Sequence, residues 1–316
     1  MQKLSEACDQ LPSSLFITGV NDRDEDATFA GGFGDVYRAS YSGKKVALKR
    51  IRTFTADSSP HRTRLVNSKI PFDTLIFTSL GQQFCREALV WRGLQHRFIL
   101  PFLGIDRETF PSSFCMVSPW MKHGTVLIYL KNRGHGELYR VLLEIAQGLE
   151  YLHSRSVVHG DLRGSNILIS DEGSACLSDF GLATTVDEAE TSTGGATSSS
   201  NRAGSIRWFA PELIEPTAFG CERFVRTRAS DVYAYGCVCL ELYTRRPPFH
   251  PNTDGAVINM IMQGKRPEQP AGLSDEFWHF ICAAWVSDFR ARPTISDHIV
   301  EFPTPPTATD SVQAPS

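Results

Sequence analysis

Val157–Gly181, VVHGDLRGSNILISDEGSACLSDFG, decides how the chain reads, because it sets two carboxylates and an amide between short β-prone runs. Val157-Val158 and Ile167-Leu168-Ile169 predict strands, so His159-Gly160-Asp161-Leu162-Arg163-Gly164-Ser165-Asn166 becomes a loop held at both ends. Asp171-Glu172-Gly173 predicts a second turn, which leads through Ala175-Cys176-Leu177 to Asp179-Phe180-Gly181. In this arrangement Asp161 can accept a proton from a hydroxyl, Asn166 and Asp179 are hard oxygen ligands suited to Mg²⁺, and Arg163 can face a phosphate. Taken singly, each of these residues is ordinary turn chemistry. The order and spacing carry the reading.

Working outward, the 316 residues are 41% apolar, enough for two modest cores in one two-lobed unit. A formal charge of −3, with no sustained Lys/Arg stripe, argues against nucleic acid or an anionic membrane as the main partner. Eight cysteines show no CxxC pairing and several fall inside apolar patterns, so they are expected to be reduced, in an intracellular, cytoplasmic protein. Met1 to Val20 has no basic start followed by an apolar core, and the apolar helix near Val232–Leu242 is too short to span a bilayer. A soluble chain is the expectation.

Leu15–Val20 is a β-prone run expected to cover a sheet edge. Ala30-Gly31-Gly32-Phe33-Gly34-Asp35-Val36-Tyr37 predicts a glycine-rich hairpin whose backbone can close over a triphosphate without interference from Cβ atoms. Lys44–Ile51 predicts a strand. Glu87 lies on a helical pattern with Phe84, Ala88 and Trp91 on the core face. Between them, about Arg52 to Gln83, runs a long insert with no evident apolar partner, read as a lobe insertion or a translated intron. Ile99–Gly104 and Phe114–Val117 predict two further strands. Leu138, Val141, Leu142, Ile145, Leu149 and Leu152 mark an amphipathic helix. Thr184–Ala203, rich in Ser, Thr and Gly, is expected to be mobile. Asp231–Tyr243 reads as a buried helix with Asp231 capping its start and reaching back to the loop backbone.

The ordered set H-x-D-L-x-x-x-N at 159–166, D-F-G at 179–181, Ala210-Pro211-Glu212 and Val46-Ala47-Leu48-Lys49 resembles the protein kinases over roughly residues 23 to 300. The runs Asp161–Asn166 and Gly204-Ser205-Ile206-Arg207-Trp208-Phe209-Ala210-Pro211-Glu212 resemble the tyrosine-kinase-like group more narrowly. The resemblance implies an α+β, two-lobed fold: an N-terminal extension at 1–22, a small, mainly-β lobe at 23–117, a large, mainly-α lobe at 118–300 and a disordered tail at 301–316.

It also implies ATP and Mg²⁺ as cofactors and a protein hydroxyl as acceptor, Ser/Thr in preference to Tyr. Asp161, Arg163, Asn166, Lys49 and Glu87 would form the catalytic set. Gly31, Gly32, Gly34, Val36, Ala47, Lys49, Pro119 and Met121 would hold the nucleotide, with Asn166 and Asp179 on the metal. Ser118 would guard the pocket behind adenine, and Arg292 would pair with Glu212. Two departures stand out. Phe29 occupies the first glycine position of the hairpin. Gly160 stands where many kinases carry an arginine that takes a phosphate on the activation segment, so activity is expected to depend little on phosphorylation there. Two rival readings remain, a pseudokinase that keeps the fold for partner or nucleotide binding and a small-molecule kinase.

Overall fold

The computed structural model describes residues 11–31, 34–50, 79–110, 113–133, 136–185 and 205–304. They divide into two compact units, one running to Gln95 and including Leu100–Trp120, the other made of His96–Ile99 and the chain from Met121 onward. The break at Trp120/Met121 falls later than the sequence boundary at 117/118, because Ser118 and Pro119 pair with Ala47 and Val46 in the smaller unit's sheet.

That sheet has six strands: β1 (Phe16–Ile17), β2 (Phe29–Gly31), β3 (Gly34–Tyr41), β4 (Lys44–Arg50), β5 (Gly104–Asp106) and β6 (Cys115–Pro119), in the order β1-β5-β6-β4-β3-β2. Only the β1–β5 pairing is parallel. Ser42 and Gly43, both at positive φ (48° and 75°), join β3 to β4 as a tight two-residue turn, whose twist matches that of paired strands. Alternation then sorts the side chains. Tyr37, Ala39, Val46, Leu48, Cys115 and Val117 pack with Phe110 as a core, while the intervening Val36, Ala47, Lys49, Met116 and Ser118 share the other face.

Leu15–Val20 meets the sheet edge as expected, through Phe16 opposite Ile105. The strand expected at Ile99–Gly104 starts only at Gly104. Pro101 has no N–H to give a ladder, and the Leu100 carbonyl accepts the Trp91 indole N–H at 2.6 Å. Gly104 itself sits at φ 151°, and a Cβ there would lie 2.6 Å from Ile17 Cγ2, so glycine lets β1 lie alongside. Helix α1 (Ser79–Arg92) buries Phe84, Cys85, Ala88 and Trp91 along one stripe. Of the expected insert, 79–83 are thus the first turn of α1, and 52–78 lie outside the described residues.

The larger unit is mainly helical: α2 (Val126–Arg133), α3 (Leu138–Ser154), the short α4 (Pro211–Ile214), α5 (Arg228–Thr244), α6 (Asp254–Met262), α7 (Asp275–Ala284) and α8 (Ile295–Val300). All six apolar positions read for α3 are fully buried, against α5 and α8 among others. Helix α5 begins earlier than the sequence suggested. Thr227 caps it, with its side chain taking the Ser230 N–H while the Ser230 hydroxyl takes the Thr227 N–H, and Asp231 is left to reach the loop. Two-stranded ladders join β7 (Val157–Val158) to β10 (Thr184–Thr185) and β8 (Ile167–Ile169) to β9 (Ala175–Leu177). Thr184-Thr185 therefore belongs to a ladder rather than to the expected mobile segment, whose residues 186–203 lie outside the described ones. Phe302, expected in the tail, packs edge-on against Phe280 at 5.4 Å; residues 305–316 are outside the described set.

His298 of α8 is fully buried, its ring 4.6 Å from that of Phe280, and among the described residues neither ring nitrogen has a hydrogen-bond partner. Burial pushes the imidazole down to about 4. Because the folded value lies below the unfolded one, the neutral ring's contribution is intact above about pH 6.5 and is lost as pH falls toward about 4. The wild-type chain should lose about 2 kcal/mol more stability than His298→Leu between about pH 7 and pH 5, measured by urea unfolding. Parallel losses in both would show that the buried ring does not titrate on unfolding.

Candidate active site

In the smaller unit, β4 and α1 bring Lys49 and Glu87 together, Nζ to Oε1 at 2.6 Å, with Glu87 only 3% exposed. Sheet register sets Val36 and Met116 on either side of Lys49, and Ser118 beside Ala47, all on the face away from the core. Gly31 pairs with Gly34 at the tip of the β2–β3 hairpin, so the backbone there carries no Cβ. Gly32, between them, is outside the described residues. Phe29, at the first glycine position, stacks on Trp120 with centroids 6.2 Å apart and planes 22° from parallel. Pro119 closes β6 opposite Val46.

In the larger unit, the loop that follows β7 is fixed by one carboxylate. Asp231 Oδ2 accepts from His159 N at 2.8 Å, Oδ1 accepts from Gly160 N at 2.9 Å, and His153 Nε2 lies 2.9 Å from Oδ2. His159 Nδ1 accepts the Asp161 N–H at 3.2 Å, so its Nε2 carries the hydrogen that meets the Ser178 carbonyl at 3.1 Å. The histidine thus links the backbone of Asp161 to the residue before Asp179. Its ring lies 5.7 Å from the buried ring of Phe180.

Asn166 Nδ2 donates to the Asp161 backbone carbonyl at 2.8 Å and to its carboxylate at 2.9 Å. With the amide nitrogen so committed, Asn166 Oδ1 is the side chain's remaining acceptor, taking a 3.2 Å hydrogen bond from the Ser165 hydroxyl. Arg163 Nε stands 3.6 Å from Asp161 Oδ2. Ser178 donates both N–H and hydroxyl to the Asn166 carbonyl, at 3.0 and 2.9 Å, and Asp179 follows in the left-handed region at φ 66°. Among the described residues no three His, Cys, Asp or Glu side chains cluster to hold a metal by themselves. The amide oxygen of Asn166 and the carboxylate of Asp179 are hard donors of the kind that would suit Mg²⁺. Met121, on this unit, gives its carbonyl to Gly124 N at 3.0 Å; its N–H makes no hydrogen bond among the described residues.

Three features add to or correct the sequence reading. Arg292 and Glu212 form the implied pair as a two-pronged one, at 2.6 and 2.7 Å, both buried. A cation does stand beside Gly160. Its source is Arg226, whose Cδ lies 2.6 Å from where a Gly160 Cβ would be and whose guanidinium is 4.9 Å from the Phe224 ring centre. The expectation built on an absent cation loses its premise. Glu241 was missed, a carboxylate inside the apolar α5 that accepts from Gly164 N at 2.9 Å and Trp208 Nε1 at 3.0 Å. Its only signal was an acid ten residues after Asp231 in an otherwise buried helix.

Residues 73–302 match the family model for protein tyrosine and serine/threonine kinases. The chain is 28% identical over 278 residues to serine/threonine-protein kinase STY46 of Arabidopsis thaliana, covering 86% of this chain and 42% of that protein. It is 29% identical over 274 residues to the serine/threonine/tyrosine-protein kinase HT1 of Arabidopsis thaliana, covering 85% and 62%. Mitogen-activated protein kinase kinase kinase A of Dictyostelium discoideum is 27% identical over 291 residues, covering 90% and 28%. The chain thus spans less than two thirds of the length of these relatives. The small β-sheet unit and larger helical unit are those of a kinase domain, and the chain belongs to the protein tyrosine and serine/threonine kinase family.

Proposed function

We propose that this chain transfers the γ-phosphoryl group of Mg²⁺-ATP to a hydroxyl of a protein, serine or threonine in preference to tyrosine. The observation that carries it is the Asp161–Asn166 bond, which holds the carboxylate in place and, by committing the amide nitrogen, leaves the amide oxygen to serve a metal. In this reading Asp161 accepts the proton of the attacking hydroxyl, Arg163 steadies the moving phosphate, and Asn166 and Asp179 would hold Mg²⁺, which would offset the phosphate charge. Lys49, held by Glu87, takes the α- and β-phosphates. Gly31, Gly32 and Gly34 would lend their backbone to the phosphates, Val36 and Ala47 would cover adenine, and the Pro119 carbonyl and Met121 N–H would serve its edge. Apart from that proton transfer, positioning and charge are almost the whole of the protein's contribution to such a transfer.

The complete set of Lys49, Glu87, Asp161, Asn166 and Asp179 argues against a pseudokinase, and the Arg207-Trp208-Phe209-Ala210-Pro211-Glu212 segment, read as a platform for a protein acceptor, argues against a small-molecule substrate. A reducing, intracellular setting is supported by the cysteines: the seven described are free, and burial pushes the thiols of Cys115, Cys176, Cys237 and Cys239 up. Among the described residues no helix is long and apolar enough to cross a membrane.

Asp161→Asn should leave folding and ATP affinity nearly intact while turnover falls by about 10²-fold or more, since an amide oxygen at 161 can still accept from Asn166 but cannot take up the acceptor proton. Asp179→Asn should raise the Mg²⁺ concentration needed for half-maximal rate. Wild-type turnover in Asp161→Asn would end the assignment. Ser118 is buried on the Ala47 face of the sheet, so bulky adenine mimics should bind the wild type and fail against Ser118→Met, with ATP affinity little changed. Equal inhibitor affinity in both forms would show that Ser118 does not line that pocket.

A further inference from the structure

Phe29 is 53% exposed, the most exposed large apolar side chain of the smaller unit among the described residues. It lies outside the core built on Tyr37, Val46 and Leu48, so burial within the sheet does not account for it. Its ring stacks on Trp120 instead, with centroids 6.2 Å apart and planes 22° from parallel. A glycine at this position, the first of the glycine-rich hairpin, would have no ring to give, so the contact belongs to the departure that Phe29 represents.

The two rings come from opposite corners of the sheet. Trp120 extends the β4–β6 ladder one step beyond Pro119, its N–H bonding the Lys45 carbonyl at 3.0 Å. Phe29 pairs with Val36 on β3, Val36 with Lys49 on β4, and Lys49 with Met116 on β6. On a flat sheet the two residues would stand three strand spacings apart, about 14 Å, and two side-chain repeats apart along β6, about 14 Å more. They meet because the sheet is twisted and coiled, which carries its diagonal corners toward each other. That diagonal runs over Ala47, one of the two residues assigned to cover adenine. Arg38, opposite Ala47, adds a third layer: its guanidinium carbon lies 5.9 Å from the Trp120 ring centre, and Asp24 holds its Nε at 3.2 Å.

We propose that Phe29 and Trp120 are nucleotide-positioning residues that clip β2 of the glycine-rich hairpin to the end of β6, so that the hairpin is held over the Ala47 face before ATP arrives and is slow to lift away from ADP afterwards. The inference rests on the reading of that face as the nucleotide site. A hairpin that is free to open has to be ordered by the nucleotide at the expense of affinity, whereas one already clipped has met that cost in folding. Val36, paired directly with Phe29, is held in place with it. The ring at 29 thus gives back, by fixing the hairpin, the grip that the missing glycine would have supplied by letting the backbone approach.

The test follows release of N-methylanthraniloyl-ADP by stopped flow, alongside kcat and the KM for ATP, for the wild type, Phe29→Ala, Trp120→Ala and the double variant, with thermal melts to confirm folding. Each single variant should release the nucleotide about fivefold faster, the factor equivalent to about 1 kcal/mol, and should raise the KM for ATP without lowering kcat. The double variant should release it no faster than the quicker single variant, because either substitution alone opens the clip. Release at the wild-type rate in either single variant, or accelerations that multiply in the double variant, would overturn the proposal. Amide hydrogen exchange in the nucleotide-free chain supplies a readout independent of activity. Trp120→Ala should speed exchange at Thr28, whose N–H bonds the Val36 carbonyl at 2.8 Å on the far side of the sheet, and unchanged exchange there would refute the clip. That arm decides the matter even if the wild type bound no ADP, the outcome that would instead refute the reading of a nucleotide site.

Discussion

A single buried carboxylate, Asp231, accepts from two consecutive backbone N–H groups and meets a histidine, and the geometry of the larger unit follows from that arrangement. Hydrogen bonds to a charged group contribute about 1.5–3 kcal/mol each, and an unpaired buried carboxylate would cost several more. The pairing therefore has to be made, and making it fixes His159 and Gly160 against a rigid helix. His159 passes the constraint to Ser178, and Asn166 passes it back to Asp161. A loop with little apolar content is thereby tied to the helix that carries Asp231.

The smaller unit reaches the same end by a different device. Strand alternation buries Tyr37, Val46 and Leu48 and, because the period is two, must present Val36, Ala47 and Lys49 on the opposite face. Lys49 needs no loop to position it. Helix α1 then sets Glu87 beside the lysine while burying Phe84, Ala88 and Trp91. In each unit the residues assigned to chemistry take their places from backbone-level constraints, which is the preorganisation that phosphoryl transfer relies on.

Where a residue's role follows from local pattern, the sequence was legible. The loop Val157–Gly181, the apolar stripe of α3 and the alternation of β4 could all be read because period and turn chemistry act within a few residues. Interactions across long separations were not. Leu100 gave its carbonyl to Trp91 and delayed a strand, and Arg226 came to stand beside Gly160 from sixty-six residues away. Glu241 was hidden for the same reason: an acid in an apolar helix shows its purpose only once Gly164 and Trp208 are seen to share it.

The central claim is that this preorganised set performs phosphoryl transfer. The most direct measurement is to incubate the wild-type chain with Mg²⁺ and ATP labelled in the γ-phosphate together with a protein acceptor, and to identify the labelled amino acid after hydrolysis. The account predicts label on phosphoserine and phosphothreonine, dependent on Mg²⁺. Nucleotide that binds while no label reaches any protein hydroxyl would contradict it.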